Sequence, residues 1–115
     1  MRIITETRIK QAIEDNPQWA RGLELWRSVF RQKGISFESF EQIRQVWKEA
    51  SGWNTDRVPA RRLKNESTTG DLYIFDIHGN DCRVVCLLRK VGNIFYVREV
   101  MSHADYDEWC KRNIK

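Results

Sequence analysis

The apolar positions of this chain follow two different periods. Over residues 9–47 they recur at three- and four-residue steps, and from residue 72 they crowd into short runs of Val, Ile, Phe, Tyr and Cys. The first pattern predicts helices and the second predicts strands. Residues 2–5, R-I-I-T, read as a short opening strand. Ile9, Ala12 and Ile13 share one face of a helix over about residues 5–15. Asn16-Pro17 signals a restart, with Asn16 as N-cap and the proline at the first helical position. Trp19, Leu23, Trp26, Val29 and Phe30 form the strongest helical stripe, and Gly34 is a natural stop. A third helix is predicted over about residues 39–48. There Ser39 and Gln42 have capping-box spacing, and Phe40, Ile43, Val46 and Trp47 supply an apolar face.

After Gly52 the period is lost. Residues 51–70, S-G-W-N-T-D-R-V-P-A-R-R-L-K-N-E-S-T-T-G, are polar and punctuated. They are expected to form a basic loop within one domain rather than a boundary between two. Runs at 72–77, 82–88 and 94–101, separated by H-G-N and K-V-G-N, then predict a three-stranded antiparallel meander. Its central strand is apolar on both sides, Val84, Cys86 and Leu88 against Val85 and Leu87, so both sheet faces should be partly covered. Ser102 opens a C-terminal helix, with Asp105 at the capping-box position. The expected architecture is a single α+β domain over residues 1–115: a short N-terminal strand and helices, the meander, and a last helix.

Composition narrows the class. Hydrophobic residues are 41% and charged residues 31% of 115, which suits one globular core. No apolar run approaches the ~20 residues of a membrane helix. The start, M-R-I-I-T-E-T-R, lacks the apolar stretch and cleavage site of a signal peptide, so a cytoplasmic protein with no membrane partner is expected. Cys82, Cys86 and Cys110 have neither C-x-x-C spacing nor nearby histidines, so no disulfide framework, metal or other cofactor is expected. The net charge of +4 favours an anionic partner. The basic bias lies in the second half: Arg57, Arg61, Arg62 and Lys64 in R-V-P-A-R-R-L-K, then Arg83, Arg89, Lys90 and Arg98.

Candidate chemistry centres on R-E-V-M-S-H-A-D-Y-D-E-W. With Ser102 as N-cap, His103 and Tyr106 lie three apart on one helical face. Arg98 sits in the strand feeding that helix and Arg83 in its neighbour, where alternation allows both guanidiniums on one sheet face. Cleavage of RNA by its own 2′-hydroxyl needs a base, cations around the phosphorane and an acid for the leaving oxygen. Histidine exchanges protons near neutral pH, arginine matches phosphate geometry, and tyrosine donates a hydrogen bond or stacks on a base. The residues alone leave a second reading open: an exposed first-turn histidine, a packed tyrosine and strand arginines reaching for water. His78, in H-G-N, reads as a turn former tolerant of unusual dihedrals.

The run Y-I-F-D-I-H-G-N-D-C-R-V-V-C, followed by F-Y-V-R-E-V-M-S-H-A-D-Y-D, closely resembles the HigB family of bacterial toxins, within the wider RelE/ParE-like superfamily. His78 stands where that family's turn usually has its first glycine, Ser102 where it has threonine, and Asp105 where it has glutamate. Segment 55–70 looks longer and more basic than the family's usual link. The resemblance implies a ribosome-dependent, metal-independent mRNA endonuclease neutralised by a cognate helix-turn-helix, HigA-like antitoxin. Carried over by position, it implies Arg83, Arg98, His103 and Tyr106 as catalytic, and Arg61, Arg62, Lys64, Arg89 and Lys90 as RNA-binding. Alanine at Arg83 or His103 is then expected to relieve toxicity with the fold intact. A non-enzymatic ParE-like toxin acting on a protein target, or a degenerate member that only binds antitoxin or RNA, is the alternative.

Overall fold

A computed structural model of the chain describes residues 1–32, 37–64, 70–89 and 93–115. Strand β1 (Arg2–Ile4) leads through Thr5, whose φ is +69°, into helix α1 (Thr7–Asp15). Asn16 closes α1 by donating its N–H to the Ala12 carbonyl at 2.8 Å, and its side chain makes no cap bond to the next helix. Asn16 thus holds the expected N-cap position, with Pro17 first in the turn that follows, but without a side-chain bond. Pro17, with its fixed φ, instead starts a 3-10 turn over Pro17–Trp19, which displaces the start of helix α2 to Ala20–Phe30. Helix α3 (Phe40–Ser51) begins as its sequence asks: Ser39 Oγ accepts from Gln42 N at 3.3 Å, and Gln42 Oε1 accepts from Glu38 N at 2.8 Å. It ends at Gly52, which takes a φ of +83°. Gly34 lies outside the described residues.

The larger correction concerns the sheet. The meander forms as β3 (Leu72–Ile77), β4 (Cys82–Arg89) and β5 (Ile94–Ser102), but it is the centre of a five-stranded mixed sheet. Strand β1 pairs parallel to β5 at one edge. At the other edge lies β2 (Thr55–Val58), antiparallel to β3, inside the segment expected to be a loop. T-D-R-V is too short and polar to display a strand period, and its order comes from the partner strand. A 3-10 turn at Ala60–Arg62 follows. The chain there is stitched to the C-terminus: Leu63 bridges Ile114, Lys64 N donates to Asn113 O, and Lys115 N donates to Arg62 O, the last two at 2.7 Å. Leu63 is 3% exposed, so this stretch is packed structure.

Both sheet faces are covered, as the apolar central strand requires. Helices α1 to α3 pack on one face, where Trp26, Phe30 and Trp47 meet Phe75 and Phe95 with ring centroids 5.1–6.3 Å apart. On the other face the last helix, α4 (His103–Asn113), brings Tyr106 and Trp109 onto Ile74, Val85 and Leu87. Ser102 caps it by accepting from Asp105 N at 3.2 Å. No helix of the described residues is long and apolar enough to cross a membrane.

Candidate nucleic-acid site

The start of α4 and the adjoining ends of β3 and β4 gather the chemically capable residues. Register places Asp76 directly opposite Arg83, and Arg83 opposite Met101. Arg83 Nε lies 3.1 Å from Asp76 Oδ1, with side chains 8% and 15% exposed. The contact is an ion pair rather than an aligned hydrogen bond, because Oδ1 has no hydrogen-bond donor. The rest of the guanidinium holds the turn: Nη1 donates to Gly79 O at 2.8 Å and Cys82 O at 3.0 Å, and Nη2 to Asn80 Oδ1 at 3.2 Å. Its Cζ sits 5.9 Å from the Tyr106 ring centroid. Arg83 is therefore a buried anchor. The expectation that alanine here would spare the fold is corrected on that ground.

Burial pushes the Asp76 carboxyl above its ordinary value, outweighing the pull of Arg83. Asp56 adds to the push, while His103 and Lys48 oppose it. The backbone of Asp76 is fixed as well, since Trp47 Nε1 donates to its carbonyl at 3.0 Å. Tyr106 stacks on Trp109 at 5.9 Å with 15° between the planes. Burial first, then Cys110 and Asp56, push its phenol well above the ordinary range against the pull of Arg83. Tyr106 thus stays a protonated donor. His103 is more open, 42% exposed in its side chain, and its Nδ1 lies 3.3 Å from Asp107 Oδ2 one helical turn on. A carboxylate this close to Nδ1 favours the imidazole tautomer that carries its proton on that nitrogen.

Arg83, His103 and Tyr106 therefore share one neighbourhood, and Arg98 does not join it. Strand β5 carries a bulge opposite Val85 and Cys86, and Arg98 is the unpaired residue there, exposed and three positions along the strand from Met101. It lines a separate depression of about 630 Å³ with Arg8 and Arg89. Arg61, Arg62 and Lys64 are exposed beside the C-terminus, where Lys64 Nζ donates to the Lys111 carbonyl at 2.8 Å. Lys90 lies outside the described residues. His78 is the turn former expected, with a φ of +52°. It also accepts a hydrogen bond at Nε2 from Gly22 N in the first turn of α2, at 3.1 Å. Sequence reasoning gave no role to Arg8 or Asp56, and did not join Asp107 to His103. The i,i+4 spacing of His103 and Asp107 was a usable signal, whereas Arg8 and Asp56 reach their places only through folding.

Comparison with known proteins places this geometry in context. Residues 20–109 match the family model described as HigB toxin, RelE-like toxic component of a toxin–antitoxin system. The chain is 29% identical over 107 residues to the mRNA interferase toxin HigB of Escherichia coli (strain K12), covering 93% of this chain and 88% of that protein. The same values relate it to the mRNA interferase HigB of Shigella flexneri. An mRNA interferase HigB of Escherichia coli O6:H1 is 31% identical over 52 residues, 45% of this chain and 50% of that one.

Proposed function

The chain belongs to the HigB family of RelE-like toxic components of toxin–antitoxin systems, and from that premise we propose that it is an mRNA endonuclease toxin. It acts on mRNA held by the ribosome, without a metal, in the cytoplasm, and a cognate helix-turn-helix antitoxin of the HigA kind keeps it inactive. The observation that supports this most directly is the half-open His103, with Asp107 at Nδ1 and Tyr106 three residues on along α4.

In the proposed reaction, His103 Nε2 takes the proton of a ribose 2′-hydroxyl. The 2′-oxygen attacks the adjacent phosphorus, the bond from phosphorus to the 5′-oxygen breaks, and that oxygen leaves with a proton from Tyr106. The products are a 2′,3′-cyclic phosphate and a 5′-hydroxyl. Arg83 acts here as a positioning residue, holding Tyr106 and the turn at residues 79–82. Asp107 fixes the histidine tautomer.

The test adds purified protein to a reconstituted translation system and maps mRNA 5′ ends, beside the His103→Ala variant. New ends at codons in the ribosomal A site are expected, reduced roughly 10²–10⁴-fold in rate by the variant. Intact mRNA alongside an active control toxin would turn the assignment to a protein target.

A further inference from the structure

The face of the sheet that carries Tyr106 is covered by α4 over only part of its width. Where β4, β5 and the start of α1 meet, it opens into the depression of about 630 Å³. Three arginines line this depression from three elements: Arg8 from α1, Arg89 from β4 and Arg98 from β5. Tyr96 adds a half-buried ring. One acid approaches, Glu99, whose Oε2 is 4.0 Å from Arg8 Nη1 with both side chains about half exposed. Arg89 and Arg98 are exposed and have no acidic partner within 4.0 Å among the described residues. Thr5 lines the same depression with a φ of +69°, the sole β-branched residue with positive φ among the described residues. Backbone strain of this kind is retained where the surrounding structure fixes it, often at a binding site.

We propose that this depression is a second RNA subsite, which grips the phosphates of single-stranded RNA flanking the scissile bond and offers Tyr96 to a base. The proposal rests on the nuclease reading for which strand is cut, and goes beyond it in removing Arg98 from the reacting group and adding Arg8. Arg83 pairs with Met101, so Arg98 stands three residues, about 10 Å, along β5 from the anchor of the reacting cluster. That distance lies within reach of a short stretch of extended strand. Exposed guanidiniums suit phosphate, which they hold through paired hydrogen bonds, and an adjacent ring suits stacking without regard to base identity.

Two measurements on the full chain test it. The first is fluorescence anisotropy with a labelled, fully 2′-O-methylated single-stranded oligoribonucleotide over a salt series. The second is the rate of mRNA cleavage on ribosomes against toxin concentration. Arg8→Ala and Arg98→Ala should each weaken oligonucleotide binding several-fold and reduce the salt slope by about 0.7, the value for one phosphate contact on a single strand. Arg21→Ala, an exposed arginine on α2, should change neither. In cleavage, the two subsite variants should raise the half-saturating toxin concentration and leave the maximal rate near that of the unaltered protein. Unchanged affinity and slope in Arg8→Ala and Arg98→Ala would overturn the subsite. So would a lost maximal rate in Arg98→Ala, which would return that residue to the reacting cluster. If the unaltered protein binds RNA through Arg8 and Arg98 but never cleaves mRNA, the subsite stands and the nuclease reading falls.

Discussion

Arg83 and Arg98 occupy neighbouring strands on one side of the same sheet, yet they live in opposite environments. Arg83 is 6% exposed, faces Asp76, and spends its donors on Gly79, Cys82 and Asn80. Arg98 is exposed at a bulge and shares a depression with two other arginines. The difference is cover. Where α4 lies over the sheet, a guanidinium has lost its water and must be paired, so it serves structure. Where the sheet is bare, the same group keeps its charge available to an outside anion. Residue type alone does not separate an anchor from a contact.

The strongest way to break this comparison is to truncate both arginines. Arg83→Ala leaves Asp76 buried without its partner and frees the turn, and should cost about 3–5 kcal/mol of stability. Arg98→Ala should stay within about 0.5 kcal/mol. Denaturant midpoints measure both, and equal losses would end the distinction between covered and bare regions.

Thiol labelling sharpens the boundary of the cover. Burial pushes the Cys82 thiol up to about 12, and raises that of Cys86 as well. Both should resist iodoacetamide in the native protein and react on unfolding. Cys110, partly exposed on α4, should be labelled in the native state. Peptide mass mapping reads the three sites separately.

The smallest effect concerns Asp76. Its folded carboxyl titrates above the ordinary value of about 3.9, so ionising it costs the fold. Its contribution to stability is therefore most favourable below the unfolded value, and declines as pH rises from there through the raised folded value. Asp76→Asn has no such titration. Relative to the unaltered protein, the variant should gain stability as pH rises across that window, measured as the difference of two urea-melt series. A gap that moves the other way would mean that the attraction of Arg83 exceeds the burial cost.

Much of the fold was legible locally. The stripe from Leu23 to Phe30, the Ser39 and Ser102 caps, and the three meander strands each depend on neighbours a few residues away. Strand β2 was not legible, because Val58 is its one apolar residue and its order is supplied by β3. Nor was the stitching of residues 62–64 to residues 113–115, which joins segments some fifty positions apart. In the site, the sequence placed His103 and Tyr106 on one helical face and carried the spacing of Asp107. It gave no sign that Asp76 would neutralise Arg83, since that follows from the β3–β4 register.

By itself, then, the sequence determined the elements, their caps, the family and the residues with the right chemistry, because period, turn formers and side-chain type act over short distances. The tertiary structure alone decided which of those residues are spent and which are free. Solvation and pairing depend on what folds over a group from far along the chain. Here α4 shields Arg83, while the β5 bulge leaves Arg98 in water beside an Arg8 that arrives from the opposite end of the protein.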